Sequence, residues 1–244
     1  MGRTKSYYDL RDALALPGCL VCRVSSAAVE AFLDGLIYEK VNDPVLRHAV
    51  REARGLCARH AWGLVRHGAA LGSAIMMRDV LRTLERTLIE SKYRNTPFFS
   101  LTRVHETINR QQPRASTAEI VAALSPQSPC PICADEAKVE AGLIISFVEN
   151  LTGKGGLLAP YRDSSGFCLP HLRQVLALLN DQADFEALAE AQMAIWRRLE
   201  GELDEVIRKS DYRFSNEGVG DEGTAWLRSI AITAGERFGE GAPR

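Results

Sequence analysis

Apolar positions recur every three or four residues along most of the chain, the period of a helix with one buried face. Between Val24 and Val41 they fall on Val29, Phe32, Leu33, Leu36 and Ile37, which predicts a helix over that span. Asp43-Pro44 restarts the pattern, with Asp placed to cap and Pro at the first helical position. This helix runs to about Arg54 and stops at Gly55, a C-cap residue. Cys57 opens a third helix through Trp62, Leu64 and Val65 to Gly68, and a longer fourth spans about Ala70 to Tyr93. Asn95 to Ser116 is polar, contains Pro97 and Pro113, and reads as a linker; Thr117 to Leu124 predicts a short helix. Alternation of period two is scarce, so the expected fold class is all-α.

The second half repeats the first. Ala134 to Leu151 predicts a helix with Leu143, Ile144, Phe147 and Val148 on its apolar face. The counterpart of the second helix is weak, because Gly153-Lys154-Gly155-Gly156 and Pro160 interrupt it. Helical sequence resumes over Leu169 to Leu179 and from Asp184 to about Arg208, and Tyr212-Arg213 echoes Tyr93-Arg94. A glycine-rich break from Glu217 to Gly223 precedes an amphipathic segment holding Trp226, Leu227, Ile230 and Ile232, suited to capping the core or docking on a partner. The expected organisation is a first repeat of about four helices over 1–94, a linker with a short helix over 95–129, a second repeat over 130–214, and a tail with a short helix over 215–244.

The repeat is sharpest in the cysteines. Cys19, Cys22, Cys57 and His60 recur 111 residues later as Cys130, Cys133, Cys168 and His171. Each set reads CxxC, 34 residues, CxxH, and no cysteine lies outside it. Three soft thiolates and an imidazole form a tetrahedral ligand set. The spacing survives the degraded second helix, which says that ligand geometry matters more there than the helix. The first pair of each set precedes a helix, where exposed amides favour thiolate. The CxxH pair shares one face of a first turn. Assigned within repeats, the sets are Cys19, Cys22, Cys57 and His60, then Cys130, Cys133, Cys168 and His171, each ion closing a loop of 38 residues (57−19). A crossed arrangement, with Cys19 and Cys22 meeting Cys168 and His171, obeys the same spacing.

Four protein ligands leave no position for water or substrate, which favours two structural zinc ions. The alternative is an iron–sulfur electron carrier or redox sensor on the same residues. Thiol redox chemistry ranks below both. His48, His67 and His105 stand apart from any nucleophile or carboxylate pattern, and no acid–base constellation argues for an enzyme. Pro129-Cys130-Pro131-Ile132-Cys133 matches half of a zinc-deaminase signature, but the HxE half is absent. No βαβ pattern surrounds the CxxC pairs, no histidine follows one directly, and Gly153-Lys154 is not a P-loop.

Composition changes this picture little. The 244 residues are 46% hydrophobic and 25% charged, enough for a core that metal supplements rather than replaces. The net charge of −1 gives no global attraction to nucleic acid or membrane. It hides an asymmetry: Pro44 to Arg114 holds 13 Lys/Arg against 5 Asp/Glu, and Asp181 to Glu205 holds 8 acidic against 2 basic residues. The two stretches suit mutual docking or solvated faces; an anionic partner such as nucleic acid on the arginines between Arg47 and Arg94 is the sharper alternative. Met1 to Ser6 has no apolar signal core, although Gly2 and Ser6 fit a loose myristoylation pattern. No apolar run approaches the roughly 18 residues of a membrane span. The expectation is a cytoplasmic protein with reduced thiols and a protein partner.

The duplicated pairs, Tyr38-Glu39, Asn42-Asp43-Pro44, Gly55-Leu56-Cys57-Ala58-Arg59-His60-Ala61-Trp62, Ala70-Leu71-Gly72-Ser73-Ala74-Ile75, Cys130-Pro131-Ile132-Cys133 and Gly166-Phe167-Cys168-Leu169-Pro170-His171-Leu172 combine into a specific signature covering about Tyr8 to Tyr212. By it the chain resembles a bacterial family of helical proteins of unknown activity. Leu20 stands in the first pair where Pro131 stands in the second. The resemblance implies the helical architecture and the eight ligands, and no reaction.

Overall fold

The computed structural model describes residues 2–90, 115–214 and 216–236. Eleven α-helices and no strand lie among them. In chain order they are α1 Lys5–Leu14, α2 Leu20–Asp34, α3 Pro44–Glu52, α4 Ala58–Trp62, α5 Ala70–Glu90 and α6 Ala115–Leu124. Then follow α7 Pro131–Glu149, α8 Leu158–Asp163, α9 Leu169–Leu178, α10 Gln182–Lys209 and α11 Ala225–Ala234. The all-α expectation holds.

Boundaries differ where local chemistry adds to periodicity. α2 starts at Leu20 rather than Val24, since the Cys19 carbonyl already accepts from Arg23 N. It gives way at Gly35 to a π-helical turn, Gly35–Glu39, in which Lys40 N donates to Gly35 O. α3 keeps its cap: Asp43 Oδ1 accepts from Val45 N at 2.8 Å and Leu46 N at 3.1 Å. Its end is a left-handed pair, Arg54 at φ 54° and Gly55 at φ 111°, with Gly55 N returning to Val50 O. α8 is the shortened counterpart of α3, tolerating Pro160 because proline sits in its first turn. Residues 95–114 of the proposed 95–129 linker, His105 among them, and the expected end of the fourth helix at Tyr93 lie outside the described residues; the linker's short helix begins at Ala115 rather than Thr117. α1 has no counterpart in the expected elements, although Thr4 caps it and Tyr7, Leu10, Ala13 and Leu14 line its buried face.

The described chain forms two compact units, and they cut across the sequence repeats. Unit 1 is Met1–Val29 with Glu136–Arg244; unit 2 is Glu30–Asp135. α2 therefore begins in unit 1 and ends in unit 2, and α7 does the reverse. Each unit combines the CxxC of one repeat with the CxxH and later helices of the other.

Unit 1 has a contiguous core in which Tyr7, Leu10 and Leu14 of α1 meet Phe147, Tyr161, Phe167, Leu188 and Ile195. Phe147 lies edge-on to Phe167 at 4.7 Å between ring centres and to Tyr161 at 5.6 Å. The Tyr7 hydroxyl donates to Gly155 O at 2.9 Å, and Arg3 donates to Tyr7 Oη and to Lys154 O, tying the N-terminal segment to the glycine-rich turn. α11 caps this unit: Ala225 is fully buried and Ile232 packs on the core. Many of the clustered charges pair locally: Glu202 takes Arg228, Glu205 takes Arg208, and Lys209 takes Glu222.

In unit 2, Leu33, Leu36, Ile37, Val50, Leu64, Met76 and Val80 are buried. Arg47 and Arg51 of α3 both pair with Asp79 of α5, at 3.2 and 2.7 Å. Arg66 pairs with Glu30 and Asp34, and Arg54 donates twice to Ala123 O at the end of α6. Much of the arginine excess in this unit thus has a partner nearby.

Candidate metal centres

All four motifs are built alike. Cys19, Cys57, Cys130 and Cys168 each sit immediately before a helix, and Cys22, His60, Cys133 and His171 follow three residues later in its first turn. Each helix starts there for a visible reason: the carbonyl of the leading cysteine accepts the first helical hydrogen bond, from Arg23, Ala61, Ala134 and Leu172 respectively. A pair of ligands thus shares the electropositive end of one helix.

Two tetrads result, and their membership corrects the within-repeat assignment. Cys19 and Cys22 meet Cys168 and His171, and Cys130 and Cys133 meet Cys57 and His60; within each tetrad the ligand atoms lie within 4.8 Å of one another. The members of each tetrad lie in one compact unit: the starts of α2 and α9 belong to unit 1, and α4 with the start of α7 to unit 2.

The unit 1 tetrad is buried throughout. His171 Nδ1 faces the sulfurs of Cys168, Cys22 and Cys19 at 3.1, 3.3 and 3.5 Å, and Cys22 Sγ lies 3.7 Å from Cys168 Sγ. Its other nitrogen, Nε2, lies 3.3 Å from Glu140 Oε1. That carboxylate can accept the Nε2 proton, and in a neutral imidazole so held Nδ1 would turn its lone pair toward the sulfurs. Behind Cys168, the Phe167 amide donates to Tyr161 Oη and Gln192 Oε1, both at 3.1 Å, which holds the knuckle in place. On the opposite side Cys19 N donates to Glu236 Oε1 at 3.1 Å. Glu140 and Glu236 were not among the sequence candidates. Glu140 carries a weak signal, since it projects from the same α7 as the core positions Leu143 and Phe147; Glu236 carries none.

In the unit 2 tetrad His60 Nδ1 faces Cys57, Cys133 and Cys130 at 3.3, 3.3 and 3.7 Å, and Cys57 Sγ lies 3.5 Å from Cys133 Sγ. His60 is fully buried, while Cys57, Cys130 and Cys133 are half-buried.

The electrostatics ask for a cation. Burial, the Cys57 contact and the charge of Cys130 push the Cys133 thiol up to about 12. Burial also acts against the Cys57 thiolate, but hydrogen bonds from the His60 amide and from the Cys133 and Cys130 thiols bring it below the usual thiol value. Burial alone would hold His171 neutral; the three sulfurs and Glu140 outweigh it and drive its pKa far up. A bound cation would supply the positive charge that protons otherwise provide.

The spacing also fits one ion. A tetrahedron with metal–sulfur bonds of about 2.3 Å has sulfurs about 3.8 Å apart, close to the 3.5 and 3.7 Å found here. A multi-iron cluster places irons and sulfides between its thiolates and spreads them much farther. Both groups are therefore Cys/His sets that can hold a metal ion. His48 and His67 are exposed and belong to neither.

Residues 8–239 match a family of unknown function, DUF6062. The chain belongs to that family. It is also similar to the uncharacterized 23.9 kDa protein in the xynA 3' region of Caldicellulosiruptor sp. (strain Rt8B.4), at 25% identity over 225 residues, which is 89% of this chain and 95% of that protein. No solved structure matches significantly. A DUF6062 assignment agrees with the helical, duplicated signature and brings no activity with it.

Proposed function

We propose that this DUF6062 protein is a helical scaffold held by two structural zinc ions, one in each crossed Cys3His tetrad. The observation that carries the reading is the set of sulfur–sulfur and sulfur–nitrogen distances of 3.1–3.7 Å around each histidine Nδ1. Such distances suit the edges of a coordination tetrahedron about a single ion. Four protein ligands close the shell, so each ion ties two helix starts together rather than activating water. The same distances disfavour an iron–sulfur cluster on these residues. No helix of the described residues is long and apolar enough to cross a membrane. A scaffold acts through its surface; Trp62 and Val65, just beyond the unit 2 tetrad, are each 75% exposed and offer a protein partner an apolar contact.

Metal analysis with a visible spectrum, on protein purified without oxygen, tests the reading. Two zinc per chain and a colourless solution are expected. Iron with sulfide and a broad band near about 400 nm would replace it with the redox reading.

A further inference from the structure

The two tetrads share a ligand set but not an environment. In unit 1, Cys19, Cys22, Cys168 and His171 are 0–8% exposed. His171 is braced from outside the tetrad by Glu140, 3.3 Å from Nε2. The C-terminal end of α11 adds a cover: Glu236 Oε1 accepts from Cys19 N, and a β-carbon on Gly235 would stand 3.9 Å from Cys22 Sγ. In unit 2, by contrast, Cys57, Cys130 and Cys133 are all half-buried. Cys57 caps α4, a helix of five residues, and Cys130 and Cys133 lie before and in the first turn of α7.

Metal exchange from a closed tetrahedral site proceeds by attack of an incoming donor on the ion while one protein thiolate leaves. It needs a thiolate that solvent can reach and a donor path to the ion. All three cysteines of unit 2 are partly open to solvent, whereas those of unit 1 are buried. Second-shell partners such as Glu140 hold a ligand in its bound orientation, and losing one weakens metal binding by about 10–100-fold.

We infer that the unit 2 tetrad is an exchangeable zinc site, open to small chelating or thiol-bearing donors, while the unit 1 tetrad is permanent and owes its retention to Glu140 and the α11 end. This rests on the tetrads being metal centres. On exchange the zinc leaves as a divalent ion bound to the incoming donor, and solvent protons take its place on the freed sulfurs and imidazole. No electrons move. Loss of zinc from unit 2 alone would then loosen α4, α6 and the first turn of α7 while unit 1 stays folded, which makes the second centre a zinc-responsive element.

The test uses the full chain carrying two zinc, mixed with excess 4-(2-pyridylazo)resorcinol, with the dye complex followed by absorbance. Two phases of equal amplitude are expected, at least tenfold apart in rate. Cys133→Ser removes the fast phase, and Glu140→Gln accelerates the slow phase about tenfold or more and leaves the fast phase alone. Should Glu140→Gln fail to fold, Glu236→Gln gives the same comparison at the α11 cover. A single phase releasing both ions overturns the inference and leaves two zinc centres standing. So does a fast phase lost in Cys22→Ser but kept in Cys133→Ser. Protein that never holds zinc overturns both this inference and the metal reading beneath it.

Discussion

A β-carbon at position 72 would lie 2.4 Å from the Ile37 carbonyl oxygen and 2.7 Å from Ile37 Cγ2, so α5 can pass the π-turn only with glycine there. Gly72→Ala should gain about 1 kcal/mol of helix propensity and still be destabilising by about 1–3 kcal/mol through overpacking. Urea denaturation of the zinc-loaded chain reads the sign directly. At the same scale, Cys133 held near 12 keeps its proton at neutral pH without metal. Zinc must displace that proton, so lower pH favours the free protein and higher pH the bound one. Calorimetric titration of apo-protein with zinc, in buffers of different ionisation heat, should show net proton release and an affinity that climbs with pH. An affinity independent of pH would mean that these sulfurs are not the ligands. The eight Cys and His positions that gather in the two tetrads were legible in the sequence because softness, number and spacing are properties of the residues themselves. Glu140 was not, since a carboxylate on a helix looks the same whether it meets water or His171 Nε2.

Among the elements, α3 and α5 are joined by one carboxylate serving two guanidiniums. Burial would raise Asp79, but Arg51 and Arg47 outweigh it and hold its carboxyl below the usual carboxylate range. A depressed folded-state pKa stabilises above the unfolded value and is lost as pH falls through the folded one. Asp79→Asn should therefore cost about 0.5–1 kcal/mol at pH 7. The gap between variant and parent should narrow as the pH drops below about 4, near the unfolded carboxylate value. Helix identities followed from period and caps, as Asp43-Pro44 and Gly55 illustrate. Their ends did not, because hydrogen bonds from Arg23 to Cys19 and from Lys40 to Gly35 extend or widen a turn in ways that apolar spacing does not register. α1 and the counterpart α8 depend on tertiary contact. Tyr7 and Tyr161 are amphipathic residues whose burial is decided by Gly155 and Gln192, far away in the chain.

For the whole molecule, crossing makes a stoichiometric prediction. Cys22→Ser with Cys168→Ser removes two ligands of one tetrad and should cost one zinc per chain; within-repeat pairing would cost two. Cys22→Ser with Cys57→Ser should cost both. Metal content by mass spectrometry under native conditions separates the two patterns. Crossing also lengthens what each ion closes. Cys22 and Cys168 are 146 residues apart, and Cys57 and Cys133 are 76 apart, against the 38-residue loop of the uncrossed assignment. Each doubling of loop length adds roughly 0.6 kcal/mol of closure entropy, so the unit 1 ion constrains the unfolded chain by about 1 kcal/mol more than an uncrossed one.

The sequence by itself determined that the protein is helical, that it is duplicated, and which eight Cys and His side chains make up its candidate ligand sets, because period, repeat offset and donor chemistry are written locally. It did not determine which four of them meet. That choice turns on which helices share a compact unit, a property of the folded chain, and two identical motifs give no local preference between themselves.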